Sequence, residues 1–125
     1  IQTVEELNEA YCEISRSYGI GDGYYTIDLA YVWDTVHHNY EVPMYYISYA
    51  TSVVPALEIL EISQTDRAKA IEVYNSIVRS DPELDFNQVL AENGLSSPFE
   101  EQTIVDVVNM IVDLTGVGSH VSVGD

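Results

Sequence analysis

Apolar residues recur at three- and four-residue intervals along most of this chain, and nowhere do they alternate long enough to mark a strand. Val4, Leu7, Tyr11, Ile14 and Tyr18 form the first such series. Thr3 opens it and Glu6 follows three residues on, the pairing of a capping box: the threonine hydroxyl accepts from a first-turn N–H while the glutamate reaches back. Gly19 and Gly21 stop it. A short second helix is expected from Ile27 to Val36, with Trp33 buried nearby. Pro43 suits the first turn of a third helix, where the N–H it lacks would have no partner anyway. That helix runs through Met44 and Ala50 to Leu60, is apolar nearly all round, and is expected to be the central, buried one. Pro55 in its middle is expected to kink or split it.

Ser63 to Asp66 offer caps for a fourth helix, whose apolar face comprises Ala68, Ile71, Val73, Tyr74, Ile77 and Val78 and which ends at Ser80-Asp81-Pro82. A short segment around Phe86 to Leu90 is stopped by Asn93-Gly94. Ser97-Pro98-Phe99-Glu100 then combines a capping serine, a first-turn proline and a reciprocal glutamate, the clearest helix start in the chain. The helix it opens carries Ile104, Val107, Val108, Ile111 and Leu114; its valines lower intrinsic propensity, so burial has to hold it. The expectation is an all-α fold: one domain of about five helices over residues 1–116, then a flexible tail, residues 117–125.

Composition narrows the function. At 125 residues the chain has room for one modest core, and 46% apolar content argues against disorder. Twenty-one acids against four bases leave a formal charge of −17, which repels phosphate backbones and anionic bilayers; neither nucleic acid nor membrane is an expected partner. Cys12 is the sole cysteine, so no internal disulfide and no thiolate metal site forms, and its place in an amphipathic pattern suits a small buried thiol. With no apolar run long enough to span a bilayer and no secretory signal, a cytoplasmic location is expected. The chain opens on Ile1, straight into a helix start, which suggests a piece of a longer protein.

The chemistry concentrates between Trp33 and Ser52, where two histidines and four tyrosines surround Pro43. Phenol and imidazole groups stabilise a developing oxyanion without a fixed charge. His37 and His38 diverge by about 100° on a regular helix, H-E-x-x-H is absent, and the remaining histidine is His120 in the tail, so a self-contained zinc site is not expected. Tyr45 and Tyr49 would share a helix face, either as a packing stripe or as a cavity lining. Ten tyrosines against two phenylalanines favour a wet surface shared with a substrate or another domain. The acids scatter over helix faces as a solvated surface would. Asp22-Gly23 lacks the rest of a calcium loop, and the alternating Gly19, Gly21 and Gly23 follow no strand that would make them a phosphate cradle.

Trp33, Val36, His38, Tyr40, Pro43, Met44, Tyr45, Tyr49 and Ala50-Thr51 together resemble the W-x-x-[IV]-x-H-x-[YF]-x-x-P-[FM]-Y-x-Y-x-Y-A-[TF]-G signature of the oligoendopeptidase F group of zinc metallopeptidases, relatives of thimet oligopeptidase. The helix opening at Thr3 and the stretch from Leu90 to Pro98 are similar to flanking parts of that family, so the likeness spans residues 3 to about 115. The resemblance implies the C-terminal helical portion of an enzyme that hydrolyses short peptides, with zinc held by residues upstream and none bound by this fragment. It implies that His38 and Tyr45 assist catalysis, binding substrate or oxyanion, and that Tyr40, Tyr46 and Tyr49 contact the peptide. The implied partners are peptide substrates and the remainder of the parent peptidase chain; the fragment alone is expected to be inactive. Two positions depart from the pattern: Ile47 stands where the family has a tyrosine that donates to the oxyanion, and Ser52 where it has glycine. Isoleucine donates nothing, and on a regular helix Tyr46 would point about 100° away from that position. The alternative is a helical peptide- or protein-binding module without catalysis, free-standing or a pseudo-enzyme.

Overall fold

The computed structural model of the chain describes residues 3–21, 23–24 and 28–124. Asp22, Tyr25 and the expected helix start at Ile27 lie outside them. Among the described residues the fold is all-helical, with six α-helices and one 3₁₀ helix rather than five helices. The chain divides into two compact units, residues 1–46 and 47–125.

In the first unit, α1 (Val4–Ser17) starts where the sequence indicates, with the Thr3 hydroxyl accepting from the Glu6 N–H at 3.1 Å. It ends in a Schellman turn: the Ile20 N–H donates to the Ser15 carbonyl and the Gly19 N–H to that of Arg16, which needs the left-handed Gly19 (φ 78°). The 3₁₀ helix (Leu29–Thr35) lies on α1, capped by Asp28, and Leu29 and Val32 close over Cys12. The fully buried residues of α1 are Cys12, as its pattern suggests, and Ser15; of the apolar series Tyr11 packs against the Cys12 cluster, Leu7 is half-buried, and Val4, Ile14 and Tyr18 are exposed. Among the described residues the 3₁₀ helix is what packs on α1, and it meets the face that carries Asn8: the half-buried Trp33 indole N–H donates to Asn8 Oδ1 at 2.8 Å. A single-turn helix, α2 (His38–Glu41), follows.

The second unit is built around α3 (Ile47–Thr65), which packs against both α4 (Arg67–Val78) and α6 (Glu101–Thr115). Pro55 neither splits α3 nor ends it. Pro55 is buried within the helix, and its neighbour Val54 packs with Val107 and Met110 of α6 and with Leu57, so tertiary burial carries α3 through the missing backbone hydrogen bond. An all-round apolar helix has more sides than two neighbours can cover. Tyr49, Val53 and Leu60 accordingly stay 52%, 49% and 42% exposed, so α3 is central but not buried as predicted.

On its other side α3 contributes Ile59 and Ile62 to a cluster formed by Val73 of α4, Leu90 of α5 (Phe86–Glu92) and Leu95. Asp85 and Gln88 form a reciprocal capping box that starts α5. Asn93 and Gly94 stop it in a second Schellman turn, Leu95 N–H to Leu90 carbonyl and Gly94 N–H to Ala91 carbonyl, with Leu90 and Leu95 supplying the apolar contact that motif favours. The start predicted at Ser97 is displaced. Ser97 Oγ accepts from the Phe99 N–H in a local turn and donates to Asn87, Pro98 is buried ahead of the helix, and Glu100 stands at the cap of α6. Beyond Gly116 the chain turns back along α6. Asn109 exchanges two hydrogen bonds with the Val121 backbone at 2.8 and 3.0 Å, His120 meets Asp113 at 2.9 Å, and the Gly124 N–H reaches Glu101. No helix among the described residues is long and apolar enough to cross a membrane.

Candidate functional site

The sequence predicts a helix from Pro43 onward, and the backbone instead makes a tight reversal there. The Tyr45 N–H donates to the Val42 carbonyl at 3.2 Å, with Pro43 and Met44 at the two central positions. Proline presets the first of these, and Met44 takes φ 69° at the second, the signature of a type II turn. A side chain in the left-handed region costs roughly 1–2 kcal/mol, so the turn places methionine, itself 85% exposed, against its local preference. Helix α3 begins only at Ile47, after the left-handed residue has broken the helical path.

The reversal folds Tyr45 and Tyr46 back onto α2. The His38 ring lies 5.4 Å from that of Tyr45 at an interplanar angle of 12°, and 5.6 Å from that of Tyr46 at 30°. His37 joins the group, its ring 4.0 Å from His38. His38 is half-buried, while Tyr45 and Tyr46 are 48% and 56% exposed. The result is an imidazole between two phenols on an accessible surface. Imidazole N–H and phenol O–H groups are hydrogen-bond donors of the kind that suits a carbonyl or developing oxyanion. Neither tyrosine before Ile47 is helical, so the 100° separation that a helix imposes on Tyr46 does not operate, and Tyr45 and Tyr49 do not share a helix face.

The remaining predicted residues are placed elsewhere. Tyr40 is two positions after His38 on a single helical turn, hence on roughly the opposite side. Its hydroxyl donates to Asp34 Oδ1 at 2.7 Å and its ring lies 6.1 Å from that of Trp33. The hydrogen bond to Asp34, then desolvation and the carboxylate charge, push the Tyr40 hydroxyl up from 10.0 to about 12. Its proton is thereby committed to Asp34, and toward other groups the oxygen acts mainly as an acceptor. Asn39 pins the same corner, its amide donating to the Trp33 carbonyl at 2.8 Å. Tyr49 stands in the first turn of α3, in the second unit, and is exposed; Ile47, its neighbour at the start of that helix, is 57% exposed.

Asp34, Asn39 and Asn8 are the residues that sequence reasoning missed. Asp34 precedes Tyr40 by six positions, and no helical or strand period connects them; a 3₁₀ turn followed by an α turn does. Among the described residues no group of three or more His, Cys, Asp or Glu side chains is placed to hold a metal ion, so the residues here do not themselves fit a zinc site. No family model, no curated protein and no solved structure matches this chain.

Proposed function

We propose that this chain is the closing, substrate-facing part of a zinc metallo-oligopeptidase similar to the oligoendopeptidase F group, acting on short peptides. The observation that carries the reading is the stacking of His38 with Tyr45 and Tyr46, three residues drawn from the one stretch that resembles the family signature. On this reading His38 and Tyr45 hold the scissile carbonyl as charge develops on its oxygen, and Tyr46, brought alongside by the turn at Pro43-Met44, contributes the donor that Ile47 lacks. Tyr40 orients the loop through Asp34 and presents an acceptor to the peptide. On this reading the metal is held by the remainder of the parent chain, and these residues supply hydrogen-bonding groups rather than metal ligands.

The test is to identify the natural open reading frame and assay its product with a quenched fluorescent peptide, with and without chelator. A reading frame that encodes H-E-x-x-H upstream and gives chelator-sensitive cleavage, lost by about 10²–10³ in His38→Ala, supports the proposal. A frame without any zinc motif, or chelator-sensitive cleavage by these 125 residues alone, overturns it. The second reading, a peptide-binding module without catalysis, draws on the exposed tyrosines and on Ile47. It predicts peptide capture by a full-length protein whose activity stays at background even in Ile47→Tyr.

A further inference from the structure

Wholly within the second unit, α3, α4 and α5 enclose an open cavity of about 380 Å³. Pro55, Ala56 and Ile59 line one side, Tyr74 and Ile77 the second, and Phe86 the third. Tyr74 and Phe86 stand at the mouth, 60% and 41% exposed, and Ala56 is exposed as well. No ionisable carboxylate or ammonium lines it. A volume of this size admits one or two large apolar side chains. Proline has no N–H to give the carbonyl one turn back, so Pro55 leaves the Thr51 carbonyl of this helix without its usual backbone donor.

The unit that carries this apolar centre is strongly acidic on balance. Residues 47–125 carry thirteen acids against three bases, and one of those bases, Lys69, pairs with Glu72 at 3.3 Å. Glu61 on α3 and Asp85, immediately before Phe86, are exposed. An uncharged groove inside an anionic field attracts a cation-bearing partner and repels an anionic one, a second copy of this chain included. Long basic side chains also lay their methylene stems on apolar surface while their heads reach carboxylates.

From the groove and its field we infer that the second unit is a docking site for a basic amphipathic peptide helix, whose apolar anchors enter between α3, α4 and α5 while its lysines or arginines face the surrounding carboxylates. Recognition of this kind buries i and i+3 or i+4 side chains in a groove. It is independent of any peptidase chemistry, because no residue of the His38 cluster takes part.

The probe is a fluorescein-labelled leucine–lysine helix of roughly four turns, titrated against the 125-residue chain by anisotropy. Two further peptides accompany it, one with glutamates for lysines and one with serines for leucines. Saturable binding of the leucine–lysine peptide alone is expected, weakening severalfold between about 50 and 300 mM salt as a screened charge interaction must. Ala56→Trp, which fills the groove from an exposed position, and Phe86→Ser, which removes one wall, are each expected to weaken it about tenfold or more. Circular dichroism checks that both variants keep their helices. Equal binding of the serine–lysine peptide, or full affinity in both folded variants, reduces the effect to unspecific charge attraction and overturns the proposal. Sedimentation showing a dimer that Ala56→Trp dissolves assigns the groove to a second copy and overturns it as well.

Discussion

The two units of this molecule are held together by different means. The second has three helices of 12 to 19 residues and two buried apolar clusters, Val54–Val107–Met110 and Val73–Leu90–Leu95. Among its described residues the first has one helix of comparable length, a 3₁₀ segment and a single α turn, with a buried cluster at Cys12–Leu29–Val32. Its remaining order comes from polar pins: Trp33 on Asn8, Asn39 on the Trp33 carbonyl, Tyr40 on Asp34. Apolar burial is undirected and tolerates sliding, whereas a hydrogen bond fixes position to within a few tenths of an ångström. The candidate site lies in the unit where geometry is fixed by directional contacts, which is where chemistry needs it.

Breaking the core of the second unit tests this contrast most severely. Leu90, 3% exposed, sits where α5, its Schellman turn and α4 converge. Leu90→Ala is expected to cost about 2–5 kcal/mol, read as a fall in the urea midpoint by far-ultraviolet circular dichroism. Trp33 is the only tryptophan and reports on the first unit alone. If its emission midpoint drops together with the helical signal, the two units unfold as one block and the contrast fails.

The converse test removes a pin. Asn8→Ala leaves the half-buried Trp33 indole N–H without its acceptor, at a cost of about 1–3 kcal/mol. A shift of Trp33 emission to longer wavelength, together with a lower midpoint for that signal, is the expected result. An unchanged emission maximum would show that packing, not the hydrogen bond, seats the indole.

A smaller effect separates the two candidate helix starts of the second unit. Asp85→Ala deletes a cap that is made and is expected to cost about 1 kcal/mol, whereas Ser97→Ala deletes one that is not and should fall within about 0.5 kcal/mol. Equal losses in denaturant titrations would restore Ser97 to the role its sequence context suggests.

The smallest signal is the Tyr40 titration. Its hydroxyl is raised from 10.0 to about 12 in the folded chain, so the stabilisation from the Asp34 contact is complete below pH 10 and is lost as pH climbs through about 12. Asp34→Asn removes the carboxylate. In a spectrophotometric titration at tyrosinate absorbance, one of the ten phenols should move from about pH 12 toward the ordinary range. Superimposable curves for the two proteins would mean that Asp34 does not hold Tyr40 in solution.

How much of this was legible beforehand follows the range of the interactions involved. The caps at Thr3 and Asp66, the Gly19 and Gly94 stops and the all-helical class are consequences of residues within a turn of one another, and the sequence alone determined them. Which face of a helix is buried depends on which neighbours arrive to cover it. That is why only Leu7 and Tyr11 of the Val4–Tyr18 series on α1 are partly covered, beside Cys12 and Ser15, and why α3 passes through Pro55 without splitting. The candidate site divides along the same line. The sequence put His38, Tyr45 and Tyr46 in one short stretch, but a helix from Pro43 would have spread them apart. Tertiary structure decided otherwise by placing Met44 in a left-handed conformation, which no local preference of methionine predicts and which turns Tyr45 and Tyr46 back onto His38.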